Sequence, residues 1–318
     1  MLHHLPNLAF LMSYPTSVAI AVPATTANIG PGFDCLGAAL TLYNSFTFSL
    51  LSGSEGVVIT ATGTEAARVS TDASNLAYQA FAKLYHQIGR SVPSVNIDIQ
   101  LGVPLARGLG SSATAIAAGV MGANSLAGSP LSLEAVVKLA VDIEGHPDNV
   151  VPALMGGCRL AATGVNSEWQ ICEIPWHSSI AAIAAIPNFE LSTAEARRVL
   201  PDSYSRADAI FNTAHLGLLL RGLETGNADW LQAALHDRIH QPYRQALIPG
   251  YAVVHQAAIA AGAYGLVISG AGPTLLALAE VTQAEQVQAA IATAWKDQTI
   301  EAIVKVLQID HKGAIAQF

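Results

Sequence analysis

The chain has 318 residues, of which 52% are hydrophobic and 12% are charged, and its formal net charge is −8. This acidic balance argues against a protein that binds nucleic acid electrostatically, and no apolar run reaches the roughly 18 residues that a membrane span requires. Three cysteines, without metal-binding or disulfide spacing, indicate a reduced cytoplasmic protein.

The first half of the chain is predicted to begin with an extension. Residues 1–11 contain no Lys or Arg and fail as a secretory signal, and we expect them to be disordered. The spacing of apolar residues and turn formers then predicts further elements. They are strand 17–23, a loop and helix over 28–40, strands 42–51 and 56–62, helix 74–89, strand 94–101, helices 112–127 and 132–144, and a loop and strand over 150–162.

The second half of the chain is also predicted to contain both strands and helices. It is predicted to contain strands 170–175 and 180–186, helices near 194–200, 205–225 and 228–239, further elements at 249–262, 265–269, 274–280 and 283–296, and strand 301–308. Because helices and strands do not alternate strictly, this order predicts an α+β architecture rather than a doubly wound sheet. A polar break at 163–170 predicts two domains, 1–165 and 166–318.

The most informative segment is 104-PLARGLGSSATA-115. Its glycines let backbone N–H groups converge, and the alanine-rich run that follows predicts a helix whose N-terminus adds positive charge. The segment therefore predicts a cradle for the phosphates of a nucleotide or of another phosphorylated ligand. The residues expected to form it are Pro104, Leu105, Ala106, Arg107, Gly108, Leu109, Gly110, Ser111, Ser112, Ala113 and Thr114.

Two other phosphate motifs and one simpler interpretation compete with this cradle. A Walker A loop is excluded because the chain contains no Gly-Lys dipeptide. The letters 108-GLGSSA-113 satisfy the dinucleotide fingerprint, but strand 95–101 ends well before them and the downstream acid, Glu134, lies in helical sequence. A Gly/Ser turn that caps an ordinary helix would be the better interpretation of the segment alone.

Two further glycine-containing segments accompany the cradle, 21-AVPATTANIGPGFDCLGAAL-40 and 264-YGLVISGAGPTLLAL-278. The first is predicted to be a second loop-to-helix transition. In their order and separation, the three segments resemble the motifs of the GHMP small-molecule kinases over about residues 17–280. The resemblance implies a two-domain α+β fold, with a ribosomal-protein-like N-terminal domain and a ferredoxin-like C-terminal domain, and it implies ATP as the phosphoryl donor.

Three other segments narrow the resemblance to the homoserine kinase branch of that superfamily. They are 146-HPDNVVPALMGG-157, 187-PNFELSTAEARRVLP-201 and 237-DRIHQPYRQALIPGY-251. The implied reaction is the ATP-dependent phosphorylation of L-homoserine to O-phospho-L-homoserine in threonine biosynthesis. By analogy with the family, we also expect a homodimer.

The resemblance also implies a magnesium site formed by Ser112 and Glu144. Mg²⁺ prefers hard oxygen ligands and keeps several waters, so two protein ligands suffice. The alternative for Glu144 is a solvated acid at a helix end.

Homoserine is a zwitterion, so its pocket needs cations for the carboxylate and an acid for the ammonium. Arg197 and Arg244 offer planar forks for a carboxylate, and Asp34 can pair the ammonium. By resemblance, the pocket residues are Asn28, Asp34, His146, Thr193, Arg197 and Arg244, and the catalytic set is Asn149, Asp148, Arg197 and Arg244.

Whether Asp148 acts as a base stays open, because positioning and electrostatics can supply most of the rate. We therefore predict that Asp148→Asn lowers the rate less than Arg244→Ala does, whereas the reverse order would favour a base. His236 and His240 have helical spacing, and we interpret them as a surface pair rather than a metal site.

Rival functions remain at this point. One is another GHMP kinase, of the mevalonate or diphosphocytidyl-methylerythritol type, although the set of Asp34, Arg197 and Arg244 argues against an apolar substrate. A second is a non-catalytic sensor with the same fold. A third is an RNA-binding protein, but the net charge of −8 argues against it.

Overall fold

The computed structural model describes residues 15–53, 56–165 and 168–318, and the predicted extension 1–11 lies outside these ranges. The strands are β1 Ser17–Asn28, β2 Gly32–Leu50, β3 Val57–Thr62, β4 Val95–Gln100, β5 Cys158–Thr163, β6 Trp169–Ile174, β7 Ile180–Pro187, β8 Ala263–Ile268, β9 Leu275–Glu280, β10 Ala302–Leu307 and β11 Ile315–Gln317. The helices are α1 Leu76–Gln87, α2 Ser111–Leu126, α3 Leu133–Glu144, α4 Pro147–Met155, α5 Thr193–Arg198, α6 Arg206–Thr225, α7 Ala228–Ala234, α8 Gln241–Arg244, α9 Tyr251–Ala260 and α10 Ala284–Asp297.

The first sheet contains strands from both ends of the described chain. Its order is β11-β1-β2-β4-β3, with β5 paired to β2 and β6 to β5. Helices α1 to α4 supply the apolar side chains that pack on this sheet; Phe48 of β2, for example, stacks on Phe81 of α1 with 5.5 Å between ring centroids. Burying this mostly aliphatic cluster is the main force that joins the helices to the sheet.

The second sheet is antiparallel, with the order β10-β7-β9-β8. All eight residues of β7 are buried, because apolar layers cover both faces of this sheet. Helices α9 and α10 pack on one face, where Trp295 is fully buried. The other face joins Leu219 of α6 to Leu36 and Leu109, which belong to the first half of the chain. This shared core fixes the two sheets against each other.

The prediction of a loop and helix over 28–40 is wrong. These residues form the turn of a long hairpin and the first part of β2, which pairs with β1 from Ser17↔Ser49 to Asn28↔Gly32. The alanines and leucines of this stretch suit a helix, but pairing with β1 and burial on both faces decide the strand. At Gly37, a Cβ atom would clash with the carbonyl oxygen of Asp148, so this glycine lets α4 approach the strand.

The α+β architecture is confirmed by the two sheets and their flanking helices. The predicted domain boundary at 165/166 falls between the strands of the β5–β6 hairpin and stays a prediction. Residues 147–155 form a helix, although a loop and strand were predicted over 150–162. Among the helices of the described ranges, none is long and apolar enough to cross a membrane.

Candidate active site

One cavity of about 660 Å³ brings together most of the residues that the sequence singles out. The predicted site residues that line it are Asn28, Asp34, Leu105, Ala106, Arg107, Gly108, Gly110, Ser111, Ser112, Glu144, His146, Asp148, Asn149, Thr193, Arg197 and Arg244. Four predicted cradle residues do not line it. Leu109, Ala113 and Thr114 are buried, and Pro104 is half-buried outside the lining.

The predicted phosphate cradle forms the turn that leads into α2. Gly108 and Gly110 have φ values of 72° and 67°, in the left-handed region that favours glycine. A Cβ atom on Gly110 would clash with Thr25 Oγ1, and one on Gly108 with the carbonyl oxygen of Ser269. Gly110 is also the N-cap of α2 and provides no side-chain cap. The first N–H groups of this 16-residue helix are thus left for an anionic ligand.

The predicted magnesium pair is in contact. Ser112 Oγ donates a hydrogen bond of 2.8 Å to Glu144 Oε1. Burial raises the pKa of the Glu144 carboxyl, while the hydrogen bond from Ser112 partly opposes this shift. A hydroxyl and a partly desolvated carboxylate are hard oxygen donors without a cationic partner within 4.0 Å among the described residues, so they fit Mg²⁺. The described ranges contain no group of three or more His, Cys, Asp or Glu side chains arranged around a metal.

The start of α4, including its N-cap His146, presents three polar side chains to the cavity. His146 Nδ1 and Asp148 Oδ1 form a hydrogen bond, which is the main cause of a raised His146 pKa. Asn149 Oδ1 accepts a hydrogen bond of 2.7 Å from Thr25 Oγ1. Its amide is thereby turned so that Nδ2 is the group left to donate, with Asp148 Oδ1 at 3.3 Å.

The residues predicted to bind the two ends of homoserine bind each other in this structure. Arg197 Nη1 and Nη2 donate to the two carboxylate oxygens of Asp34 at 3.0 and 2.9 Å. Asp34 itself has a φ of 56°, and its backbone N–H donates to Asn28 Oδ1 at 2.9 Å. Because Asn28 Nδ2 donates to the Gly270 carbonyl at 2.8 Å, the Asn28 amide locks the loop that presents Asp34.

Arg244 is a buried cation beside this ion pair. Its Nε donates to the Ala196 carbonyl and its Nη1 to the Gly270 carbonyl, both at 3.0 Å. Among the described residues, no carboxylate oxygen lies within 4.0 Å of its guanidinium, and no acceptor is found for Nη2. Burial, together with Arg197, lowers the pKa of Arg244. An anion that entered the pocket would therefore meet a cation without a close carboxylate among the described residues.

His240 supports Arg244, and its predicted position on the surface is wrong. It is fully buried, since α7 ends at Ala234 and the chain then turns inward, whereas His236 is exposed. His240 Nε2 lies 2.9 Å from the Gly30 carbonyl, and Nδ1 lies 3.5 Å from Arg244 Nη1. Burial lowers the pKa of His240, which favours a neutral ring that donates from Nε2 and accepts at Nδ1.

Phe33 was missed by the sequence analysis, although an aromatic residue inside a glycine loop is a usable signal. Its ring lies 5.1 Å from the Arg244 guanidinium carbon and 5.8 Å from that of Arg197. The His240 ring stacks on it at 5.1 Å. Such cation–π contacts stabilise by about 0.5–1 kcal/mol each at partly exposed sites, so Phe33 holds both arginines in place.

Replacing Phe33 with leucine is expected to raise the KM for the acceptor substrate about tenfold, because the two arginines lose a shared aromatic face. The KM for ATP should stay within twofold, and Phe33→Tyr should restore the original value. The matched control is Phe211→Leu, since Phe211 also lies under an arginine, Arg238, at 4.0 Å and stacks on His215, but Arg238 does not line the cavity, whereas Arg197 and Arg244 do. An equal rise of KM in the control would contradict this role.

Cys35 follows Asp34 and is predicted to be unreactive at neutral pH. Burial, with the nearby Asp148 and Asp34 carboxylates, raises the pKa of its thiol to about 11, and burial raises that of Cys158 to about 12. At pH 8, about one Cys35 thiol in a thousand is then ionised. A thiol reagent should titrate one group of the native protein, the exposed Cys172, and three after denaturation. Alkylation of Cys35 at the rate of Cys172 would contradict the shift.

The segment 191–198 places the remaining predicted residues. Ser192 and Glu195 form a capping box at the start of α5, which fixes the first turn of this short helix. Thr193 is the first residue of that helix, and Arg197 lies one turn later on the same side. The cavity thus has an anion-binding cradle and an acid–hydroxyl pair at one end, and two arginines and an aspartate at the other. Such a site can align a triphosphate with a small zwitterion.

Comparison with known proteins gives the family. Models of the GHMP kinases N terminal domain and the GHMP kinases C terminal match residues 75–157 and 219–297. Homoserine kinases of Trichormus variabilis and a Nostoc species are 66% and 68% identical over 303 residues, which is 95% of this chain and 100% of each relative.

Solved structures agree with these matches. A crystal structure of homoserine kinase from Cytophaga hutchinsonii has a TM-score of 0.87 and 30% identity, and the match covers 98% of this chain and 100% of that one. The mevalonate kinase of L. major, solved with R-mevalonate, has a TM-score of 0.65 at 16% identity over 89% of this chain and 94% of that one. At that identity, the likeness concerns the fold alone.

Proposed function

The chain belongs to the GHMP kinases and, among them, to the homoserine kinases, and we propose that the cavity described above is where it phosphorylates L-homoserine with ATP. It is a phosphotransferase with an alcohol group as acceptor, with the two-domain α+β GHMP kinase fold, and its reaction belongs to threonine biosynthesis. The observation that carries the proposal is Arg244, which has no carboxylate within 4.0 Å among the described residues and lies beside the Asp34–Arg197 pair, in the same cavity as the glycine cradle.

Homoserine fits this end of the cavity through both of its charges. Its α-carboxylate would bind the guanidinium groups of Arg244 and Arg197, and its α-ammonium would bind Asp34. The ion pair that now joins Asp34 and Arg197 would then be shared with the substrate rather than lost. With both charges held, the side-chain hydroxyl would extend towards Asn149, whose Nδ2 donates to Asp148 Oδ1 and has a second hydrogen that could donate to the hydroxyl.

The phosphates of ATP would bind the glycine cradle and the N-terminus of α2. The hydroxyl oxygen would attack the γ-phosphorus, the bond between that phosphorus and the bridging oxygen would break, and the hydroxyl proton would leave with solvent or phosphate. When bound between Ser112 and Glu144, Mg²⁺ would neutralise charge on the phosphate oxygens. Because such a transfer depends chiefly on alignment and electrostatics, Asp148 can contribute by orienting His146 and Asn149 without acting as a base.

The test is substrate-dependent release of ADP with L-homoserine, mevalonate and galactose as acceptors. Of these three acceptors, we expect only homoserine to cause release of ADP. Release with mevalonate would favour the rival kinase, and binding of ATP or homoserine without turnover would favour the sensor. Omission of Mg²⁺ should abolish the release.

The proposal also covers the cellular location, the domain division and the oligomeric state of the enzyme. The three free cysteines support a cytoplasmic location, which a fluorescent fusion would test. The division into domains 1–165 and 166–318 and a homodimer are also proposed, and limited proteolysis and light scattering would test them.

A further inference from the structure

The guanidinium of Arg107 is bound by protein groups, although this residue lies within the phosphate cradle. Its Nε donates to the Pro187 carbonyl at 3.1 Å, and Nη2 donates to the Asn188 carbonyl at 3.0 Å. Nη1 donates to the Leu105 carbonyl at 2.8 Å. The side chain is only 9% exposed, so these three bonds fix the plane of the guanidinium.

Arg107 also belongs to a ring of alternating charges with Glu65, Arg68 and Glu190, which we call the Arg107 ring. Arg107 lies 3.7 Å from Glu65 and 3.4 Å from Glu190. Arg68 closes the ring with contacts of 2.8 Å to Glu65 and 2.7 Å to Glu190. Two carboxylates already balance the two cations, so a phosphate would gain little electrostatic attraction from Arg107.

The Arg107 ring joins three separate segments. Glu65 lies in the turn after β3, and its Oε2 accepts a hydrogen bond of 2.6 Å from the Leu105 N–H of the cradle. Glu190 lies between β7 and α5, where the Leu191 N–H also donates to the Ala106 carbonyl at 3.4 Å. This third segment leads directly into the helix that carries Arg197. Arg107 thus connects the cradle to the segment that leads to the pocket proposed for homoserine.

We propose that Arg107 is a positioning residue, which holds the cradle and α5 at the separation that in-line transfer needs, and is not a phosphate ligand. The proposal rests on the function proposed above. A displacement of about 1 Å between two reacting groups can lower a rate about 100-fold while each group still binds. Removal of Arg107 therefore affects the chemical step more than the binding of either substrate.

The test compares Arg107→Ala and Arg107→Lys in steady-state kinetics. We expect both variants to lower kcat about 10- to 100-fold, with the KM for ATP and for homoserine within threefold of the wild-type values. Lysine should not rescue kcat, because a single ammonium cannot donate in one plane to three carbonyls. A rise of tenfold or more in the KM for ATP, reversed by lysine, would identify a phosphate ligand and overturn the proposal.

Arg159→Ala is the matched control. Arg159 donates to the Gly156 and Met155 carbonyls at 2.7 and 3.2 Å and pairs with Glu173 at 3.2 Å, but it does not line the cavity. Both alanine variants should lower the melting temperature, and the control should keep kcat within twofold when assayed well below it. An equal loss of kcat in the control would reduce Arg107 to a structural role and overturn the proposal. Failure of the proposed function would instead appear as no homoserine-dependent ADP release by the wild-type protein.

Discussion

Replacing Arg244 with alanine is expected to lower kcat/KM for homoserine about 10³-fold, which corresponds to roughly 4 kcal/mol of transition-state stabilisation. Arg244 is 2% exposed and has no carboxylate within 4.0 Å among the described residues. An arriving carboxylate would therefore form a desolvated, charge-assisted contact there. Arg197 is 40% exposed and already paired with Asp34, so Arg197→Ala should have a smaller effect.

A substrate analogue separates this contact from general damage to the fold. 3-Aminopropan-1-ol is homoserine without its carboxylate, and the wild-type enzyme should use it at least as poorly as Arg244→Ala uses homoserine. The variant should lose little further activity with the analogue, because the interacting group is missing from both sides. A full additional 10³-fold loss would contradict a carboxylate-binding role. The control is Arg238→Ala, which changes a half-exposed arginine outside the cavity and should leave kcat/KM unchanged.

The same kinetics decide the part played by Asp148. Asp148→Asn keeps an oxygen that can accept from His146 Nδ1, and it should therefore preserve most of the positioning of His146 and Asn149. We expect it to lower the rate less than Arg244→Ala does. If the order of the two variants is reversed, proton removal by Asp148 becomes the better explanation.

Local chemistry explains why the glycine turn before α2, which is proposed to bind phosphate, could be predicted from the sequence. The left-handed backbone of Gly108 and Gly110 and the uncapped start of α2 are properties of a few adjacent residues. The motifs also gave the GHMP kinase family and the homoserine kinase branch, and both are confirmed. The α+β class could also be predicted, because the order of helices and strands follows from local patterns of apolar residues and turn formers.

Contacts between distant segments explain what the sequence could not give. Residues 28–40 have a composition that suits a helix, and only their pairing with β1 and the approach of α4 at Gly37 make them a hairpin. Asp34 and Arg197 are 163 residues apart, and nothing in either segment indicates that they bind each other. Arg107 lies in a phosphate motif by sequence, but two of the three carbonyls to which its guanidinium donates lie 80 and 81 residues later.

The carboxylate of Glu144 is expected to be required for activity and to destabilise the metal-free fold, and Glu144→Gln tests both effects. The variant should lower kcat roughly 10²- to 10³-fold, because glutamine is a neutral and weaker ligand for Mg²⁺. Burial raises the Glu144 pKa in the folded protein, so folding favours the protonated form. Stability from this group is present below the unfolded-state pKa and is lost as the pH rises through the folded-state pKa. At neutral pH without Mg²⁺, Glu144→Gln should therefore melt at a higher temperature than the wild type.

The other end of the same helix provides the control, since Glu134 lies at the N-terminus of α3 and Glu144 at its C-terminus. A backbone hydrogen bond and Ser132 lower the pKa of the exposed Glu134, and the helix dipole favours a negative charge there and disfavours one at Glu144. Glu134→Gln should thus lower the melting temperature slightly at neutral pH and leave kcat unchanged. If Glu144→Gln lowers the melting temperature and keeps kcat within threefold, Glu144 is a structural acid. A desolvated metal ligand should give the opposite result in both measurements.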